Sequence, residues 1–426
     1  MKLSDKVCRV WDYGLFTFLA QTMAQDFKRV ELFVPWMEPF PCPAKRWIGR
    51  DVPGITRIWD FWEDLDSVDV FCFFDVGDAD VQQKLRSEER AVFGTGGRKK
   101  NKNAAELEID RGLFKKTLVK HGLAVPKWEI VTGIDTLREK AMKIKGEGFW
   151  VKPNVGERGI FETFFISDYK TLQSKLDLIA HDLGVARDAC EFMCEAPIPG
   201  VEAGSDYFIA AGVAFDTGLY GWEVKGDGYS ARAMHLDEMP NAVRKVNDAM
   251  APVWKEYEIN AAISTELRVD KNRIPKFVDL ASRMGNPPAA CISEIYKNFS
   301  PIVYGVAHGE AVEPEFASDY VSELSVEAAD AMTEPIPLNM TDKDCEKIKI
   351  RTVCKKGDQY WHIPFEKNGP TVVKAVGLGK TLEESQHNCL QAAKKFDCPG
   401  KSFNKSTFEE LEEKLKEGER YGLQRP

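Results

Sequence analysis

The sequence has no long hydrophobic run and no strong excess of one charge. Charged and apolar residues are mixed from the start, and no apolar stretch is long enough to span a bilayer. We therefore expect a cytoplasmic protein with neither a signal peptide nor a transmembrane helix. The 67 acidic and 58 basic residues are spread along the chain and leave a net charge of −9. This distribution offers no broad basic surface, so we expect no nucleic-acid partner.

Several common functional signatures are also missing. The ten cysteines are scattered and lack the paired spacing of a zinc site, so we expect reduced, packed thiols. The spacing of glycines matches neither the P-loop nor the Rossmann fingerprint. With 426 residues, 43% of them hydrophobic, the chain is long enough for two or three domains with substantial cores.

The N-terminal part alternates between strand-like and helix-like segments. The strand-like runs are Lys6 to Trp11, Arg29 to Trp36 and Val68 to Asp75, and the helix-like runs are Leu15 to Asp26 and Asp80 to Glu88. This order is typical of a parallel sheet with crossover helices. We expect an α/β protein that begins with a doubly wound, Rossmann-like domain at residues 1–105.

The remainder mixes strands, helices and hairpins in an α+β pattern. The segment Glu106 to His121 has helical periodicity and ends at Gly122, a common helix stop. Periodicity weakens from Ser322 to Pro337, where we place the last boundary. We predict a central α+β domain at residues 106–325 and a small C-terminal α+β domain at 326–426.

A first candidate phosphate-binding segment lies near residue 150. The strand Phe149 to Lys152 runs into a loop that contains Gly156 and Gly159. Glycines allow backbone amides to approach phosphate oxygens closely, and a lysine at the strand end adds a positive charge. The alternative interpretation is a plain hairpin with a surface lysine.

A second candidate segment resembles a hinge. The strand Cys190 to Cys194 leads to Glu195, a proline-stiffened turn, Gly200 and Glu202. Such a hinge can present backbone groups to an adenine, while the later carboxylate accepts hydrogen bonds from ribose hydroxyls. The alternative is an exposed turn with glutamates at its ends.

The third candidate is a pair of acids on two neighbouring apolar runs. Glu266 and Asp279 flank a polar connection at residues 270–273, which predicts a hairpin that brings the two carboxylates together. Adjacent carboxylates suit a magnesium ion that bridges nucleotide phosphates. Arg283 follows and is suited to an anionic substrate or a transferring phosphoryl group. The alternative is a pair of solvated edge residues.

These three motifs, in this order, resemble the ATP-grasp superfamily, most closely phosphoribosylamine–glycine ligases, from about Asp69 to Lys395. The resemblance implies a pre-ATP-grasp domain, then an ATP-grasp domain with a mobile lid at about 124–203. It implies Mg²⁺, or Mn²⁺, at Glu266 and Asp279. The implied ATP contacts are Arg111, Lys152, Gly156, Arg158, Gly159, Glu195, Ile198 and Glu202.

The sequence departs from the family pattern on the substrate side. Ala281 stands where the family has an asparagine metal ligand. The glycine-rich N-terminal turn that holds a sugar phosphate is replaced by Asp12-Tyr13-Gly14-Leu15. Lys225 is the one clear match to a basic segment of the family. These departures imply an acceptor other than phosphoribosylamine.

The resemblance implies a ligase that joins a small-molecule carboxylate to an amine through an acyl phosphate, with Arg283 and Lys225 as candidate catalytic residues, in a monomer or homodimer. Three alternatives stay open. One is phosphoribosylamine–glycine ligase itself, with the basic residues Arg98, Lys99, Lys100 and Lys102 on a phosphate. The others are an ATP-grasp kinase and a non-catalytic ATP-binding protein. Every ATP hypothesis requires Lys152, Glu202, Glu266 and Asp279 to converge on one cleft.

Overall fold

The computed structural model describes residues 2–35, 43–97, 103–144, 146–154, 163–364 and 369–426. The fold is mixed α/β, with helices packed on several sheets. Across these ranges, none of the helices combines the length and low polarity that crossing a bilayer requires. The cysteines within the same ranges are free thiols.

The N-terminal part forms a parallel five-stranded sheet with the strand order β3-β2-β1-β4-β5. Its elements are β1 (Val7–Trp11), α1 (Thr17–Met23), β2 (Arg29–Phe33), β3 (Ile55–Ile58), β4 (Val70–Phe73), α2 (Ala79–Ser87) and β5 (Val92–Phe93). The predicted parallel sheet is confirmed, although the short edge strand β3 was not anticipated. The order reverses at β1, so the ends of β1 and β4 border a crevice where α/β sheets commonly bind ligands.

Two helices follow where the sequence predicted one. They are α3 (Ala105–Ile109) and α4 (Arg111–Lys120). Asp110 interrupts the helix because its backbone is extended, and its carboxylate accepts a hydrogen bond from the backbone N–H of Leu113 at 2.8 Å. This N-cap satisfies a free amide of the first turn and fixes where α4 begins.

A four-stranded sheet comes next, with the order β6-β9-β7-β8. Its elements are β6 (Trp128–Thr132), α5 (Ile134–Met142), β7 (Phe149–Pro153), β8 (Phe164–Ile166), α6 (Tyr169–Leu183) and β9 (Glu191–Glu195). The strands are antiparallel, and α5 and α6 contribute buried apolar residues to one core beside them. This sheet lies within the segment that we predicted as a lid.

A ten-stranded sheet forms the centre of the molecule. Its first strands and helices are β10 (Val201–Ala210), β11 (Val213–Ala214), β12 (Thr217–Val224), β13 (Gly228–His235), α7 (Asn241–Tyr257), β14 (Ala261–Val269), β15 (Pro275–Ala281), α8 (Ala289–Ile295) and α9 (Phe299–Ala307). The predicted hairpin is present as β14 and β15, and its register pairs Glu266 with Asp279.

The C-terminal part continues this sheet and adds a small one. Its elements are β16 (Tyr320–Ala328), β17 (Ile336–Leu338), β18 (Ile348–Ile350), β19 (Val353–Lys356), β20 (Gln359–His362), β21 (Thr371–Gly379), α10 (Leu382–Lys395), β22 (Lys401–Ser402) and α11 (Thr407–Arg420). β16 pairs with both β13 and β21, so the large sheet runs across the predicted boundary at residues 325 and 326. The division into three domains stays a prediction.

Both faces of the large sheet are covered by apolar residues. One face packs against α8, α9 and the N-terminal sheet, and the other packs against α7 and α11. In α11, Leu411 and Leu415 are buried, and Gly418 lies directly against the ring of Trp222. A side chain at position 418 would overlap the indole, which explains the close approach of this helix.

Candidate active site

A buried ion triad lies where the four-stranded sheet meets helix α4. Glu195, at the end of β9, contacts Lys115 on α4 at 2.5 Å and Lys152 on β7 at 2.8 Å. Lys115 and Glu195 are each only 2% exposed. Two lysines thus converge on one carboxylate, which leaves a positive site able to hold further anionic groups.

Arg111 is fixed beside this triad by the end of β7. Its guanidinium donates to the carbonyl of Pro153 at 2.6 Å. The Asn154 side chain accepts from the backbone N–H of Gly112 at 2.9 Å and donates to Glu191 at 2.7 Å. These contacts tie the N-terminus of α4, with its free amides, to the strand that carries Lys152. A helix N-terminus with neighbouring cations is a favourable place for phosphate.

Asp279 brings the large sheet to the same cluster. Burial alone would raise the pKa of Asp279, but the nearby charges of Lys152 and Arg111, with Lys115, outweigh that effect and hold the pKa below its usual range. The charged groups of the four-stranded sheet, helix α4 and strand β15 therefore lie close enough to interact electrostatically.

A second cluster continues from Asp279 along the sheet. Glu266 pairs with Asp279 in register, and the Lys225 ammonium lies 3.0 Å from Glu266 and 2.9 Å from each of Glu202 and Glu223. Burial, together with the neighbouring acids, raises the pKa of Glu266 to about 8 despite the opposing Lys225. Burial opposes a positive charge on Lys225, but the three glutamates outweigh it and raise its pKa.

The predicted hinge connects the two sheets. Arg268 donates to the carbonyl of Ile198 at 2.8 Å and contacts Glu202 at 3.3 Å. Gly200 has a φ of +104°, and a Cβ there would lie 2.1 Å from the carbonyl oxygen of Val269. Only glycine fits this close crossing, so the turn after Glu195 is held tightly against β14.

Arg283 lies at the opposite end of the cleft, next to the N-terminal sheet. Its Nε is 3.3 Å from Glu108 and 3.3 Å from Asp75, which follows β4. Burial would lower the pKa of Arg283, but the two acids and Asp279 raise it overall. Arg283 thus connects the β14–β15 hairpin with the crevice at the carboxyl ends of β1 and β4.

The acid pair has the donor chemistry that Mg²⁺ requires. Glu266 and Asp279 are partners across the β14–β15 hairpin, and both present carboxylate oxygens, which are the preferred ligands of Mg²⁺. Ala281 adds no ligand, and the Asn286 side chain accepts a long hydrogen bond from Arg351 at 3.4 Å. The two acids therefore fit a nucleotide-bound Mg²⁺, whose remaining ligands would be phosphates and water.

The predicted residues fall into three groups. The first group forms one continuous set of charged interactions and consists of Arg111, Lys152, Glu195, Glu202, Lys225, Glu266 and Asp279. Ile198 lies in the hinge, and Arg283 lies at the far end of the cleft. Gly156, Arg158 and Gly159, and the basic residues 98–100 and 102, lie outside the described residues.

Two charged residues of the cleft were missed. Lys115 lies one helical turn after Arg111, so the i, i+4 spacing placed it on the same face. Glu223 lies near the end of β12, two residues before Lys225, and this spacing in extended chain directs both side chains to the same side. Neither spacing alone distinguishes a site residue from a solvated one.

No protein-family model and no curated protein matches the sequence. Solved structures do match it. Phosphoribosylamine–glycine ligase from Thermotoga maritima is 17% identical, with a TM-score of 0.65 over 94% of this chain and 99% of its own. N5-carboxyaminoimidazole synthetase from Staphylococcus aureus, complexed with ADP, is 16% identical, with a TM-score of 0.58 over 91% and 96%.

A third match is the biotin carboxylase domain dimer of Hydrogenobacter thermophilus 2-oxoglutarate carboxylase, in complex with MgADP, ADP and bicarbonate. It is 11% identical, with a TM-score of 0.66 over 96% of this chain and 98% of its own. These neighbours are ATP-grasp enzymes. At such low identity the likeness establishes a shared fold, and it confirms the ATP-grasp resemblance at that level.

Proposed function

We propose that the chain is an ATP- and Mg²⁺-dependent ligase that activates a small carboxylate as an acyl phosphate and transfers the acyl group to an amine. One observation carries the proposal. Lys152, Glu202, Glu266 and Asp279 come from four different strands of two sheets, and their charged groups belong to one continuous set of interactions. This convergence is the requirement that every ATP hypothesis had to meet.

The positions of these groups assign them separate tasks. Arg111, Lys115 and Lys152 form a cationic wall for the triphosphate, while Glu202 borders the hinge, where a ribose would lie. Mg²⁺ at Glu266 and Asp279 would neutralise phosphate charge and orient the γ-phosphoryl group. Phosphoryl transfer depends mostly on positioning and charge stabilisation, which this set of fixed cations can supply.

Arg283 is the proposed anchor of the activated carboxylate. It lies beyond the acid pair and reaches the crevice of the N-terminal sheet, so it borders both the nucleotide and the acceptor side. Its fork of N–H groups suits a carboxylate or an acyl phosphate. The segment at about 124–203, which carries the four-stranded sheet, is the proposed lid that excludes water from this intermediate.

The experiment measures ADP release by the purified chain with Mg²⁺ or Mn²⁺ and ATP, in the presence of pooled carboxylates and pooled amines. We expect release only when both pools are present. Asp279→Asn should lower the rate at least about 100-fold because it removes a metal ligand. Asp270→Asn makes the same chemical change in the connection of the same hairpin and serves as the matched control.

Other outcomes identify other functions. ADP release without an amine, but with a hydroxyl compound, would replace the ligase with a kinase. The non-catalytic alternative is favoured by Ala281 and by Lys225, which is engaged by three glutamates. Tight ATP binding without turnover in any pool, and no difference between the Asp279 and Asp270 variants, would establish that alternative.

A further inference from the structure

A small cavity lies on the face of the large sheet next to the acid pair. Its volume is about 30 Å³, enough for one or two groups of the size of water. The lining includes the carboxylates of Glu202, Glu223, Glu266 and Asp206, with Tyr229 and Pro287. Of these acids, Asp206 has no part in the nucleotide cleft described above.

Ser264 and Tyr229 lie beside the Asp206 carboxylate, but one of its oxygens lacks a hydrogen bond from the described residues. The side chain is only 3% exposed, and its Oδ2 accepts a hydrogen bond from the Tyr229 hydroxyl at 2.6 Å. Its Oδ1 accepts none from the part of the chain that the structure describes. Burial raises the pKa of Asp206 to about 7, although the Ser264 and Tyr229 hydroxyls oppose the shift. A buried carboxylate oxygen left without a donor is costly, so the cavity favours a ligand that supplies one.

The contacts of Lys225 show which kind of chemical group the neighbouring acids bind. The Lys225 side chain, 56% exposed, places a primary ammonium group about 3 Å from Glu202, Glu223 and Glu266. Arg268 adds one more positive charge beside Glu202. The contacts of Lys225 show that Glu202, Glu223 and Glu266 accept a primary ammonium group at hydrogen-bonding distance.

We propose that this cavity binds the amino group of the amine substrate as a primary ammonium ion, and that Asp206 accepts a proton from it. The inference rests on the proposed ligase function and names the second substrate as an amine with a small, unphosphorylated head group. Asp206 would be a catalytic residue, because its free Oδ1 would touch the reacting nitrogen.

The chemical step balances without a further reactant. The ammonium group gives one proton to the Asp206 carboxylate and becomes a neutral amine with a free electron pair. That pair attacks the acyl carbon, the C–N bond forms, and the C–O bond to phosphate breaks. The second proton on nitrogen leaves with the released phosphate, so the products are an amide and inorganic phosphate.

The first test is a binding measurement that needs no identified substrate. Methylammonium chloride is titrated into the full chain, with Mg²⁺ and a non-hydrolysable ATP analogue, and binding is followed by calorimetry. Asp206→Asn should weaken binding at least tenfold, since it removes the charged acceptor of the ammonium N–H. Asp12→Asn changes an equally buried carboxylate outside the cavity and should leave binding unchanged. Tetramethylammonium, which has no N–H and exceeds the cavity, should not bind.

Equal methylammonium binding by the wild type and Asp206→Asn, or equal binding of tetramethylammonium, would overturn the proposal. Thermal melting shows whether Asp206→Asn is folded. If it is not, Glu223→Gln, which changes a less buried acid of the same cavity, should weaken methylammonium binding instead, and no change would again overturn the proposal. Binding of the ATP analogue in the same samples reports separately on the proposed function, so the two can fail independently.

A kinetic test follows once the substrate pools have identified an amine. In Asp206→Asn we expect the KM for that amine to rise at least tenfold, while the KM for ATP stays as in the wild type. A purely structural role of Asp206 would move both constants together, and that result would contradict the assignment.

Discussion

The buried triad of Glu195 with Lys115 and Lys152 makes a sharp prediction about stability. Glu195→Gln keeps the size of the side chain but removes the charge that both lysines contact at 2.5 and 2.8 Å. Since Lys115 and Glu195 are 2% exposed, water cannot replace the lost counter-charge. Removing one partner of a buried ion pair typically costs about 3–5 kcal/mol.

We expect Glu195→Gln to lower the free energy of unfolding by an amount near the lower end of that range, because glutamine keeps one acceptor oxygen. A loss of about 3 kcal/mol lowers the melting temperature by roughly 6–12 °C for a cooperative unit of 150–250 residues. The assay is thermal unfolding followed by circular dichroism without nucleotide. The matched control is Glu191→Gln on the same strand, whose carboxylate accepts a hydrogen bond from Asn154 but contacts neither lysine. We expect the control to shift the melting temperature much less.

Nucleotide should reverse part of this loss. The phosphates of Mg·ATP bring negative charge to the lysines that have lost Glu195, so Mg·ATP should raise the melting temperature of Glu195→Gln more than that of the wild type. If Glu195→Gln melts no lower than Glu191→Gln, the triad does not stabilise the fold. If its melting temperature falls but Mg·ATP stabilises both proteins equally, the phosphates do not lie beside these lysines.

Two further predictions concern the hinge and the C-terminal part. Gly200→Ala should unfold at lower temperature than Gly146→Ala: both glycines have a φ above +100°, but only at position 200 would the new Cβ meet the carbonyl of Val269. Equal melting temperatures would show that the crossing is not tight. Burial lowers the pKa of His362 to about 4, with its Nε2 3.2 Å from the carbonyl of Ala331. The fold therefore favours the neutral imidazole of His362. The contribution of this preference to the free energy of unfolding is complete above pH 6.5 and is lost as the pH falls towards 4. Between pH 7 and pH 5, the free energy of unfolding measured in urea should fall by about 2 kcal/mol more in the wild type than in His362→Gln; an equal change in both proteins would contradict this.

Local patterns were sufficient for most elements that carry the site. The alternation of strand-like and helix-like segments predicted the parallel strands at the N-terminus, and the polar connection at residues 270–273 predicted the hairpin that pairs Glu266 with Asp279. These features depend on residues that are close together in the sequence. The periodicity of strands and helices arises from such residues, so it can be read from the sequence alone.

Local patterns failed where a long-range contact overrides them. The segment Glu106 to His121 is periodic throughout, yet Asp110 breaks it to cap α4 beside the end of β7. The apolar stripe of α11 packs on the large sheet, a contact that the local sequence pattern did not identify. Short edge strands such as β3 carry too few residues for a periodic signal.

The sequence by itself determined which chemical groups the chain brings together: the cations Arg111 and Lys152, a hinge and a pair of acids on one hairpin. The tertiary structure decided which of them meet. Glu195 joins Lys115 from a helix 80 residues earlier, as their residue numbers show, and Lys225 joins three glutamates from three strands. Such partnerships depend on strand order and register, which arise only when distant segments pack, and they explain why Lys115, Glu223 and Asp206 emerged only from the folded chain.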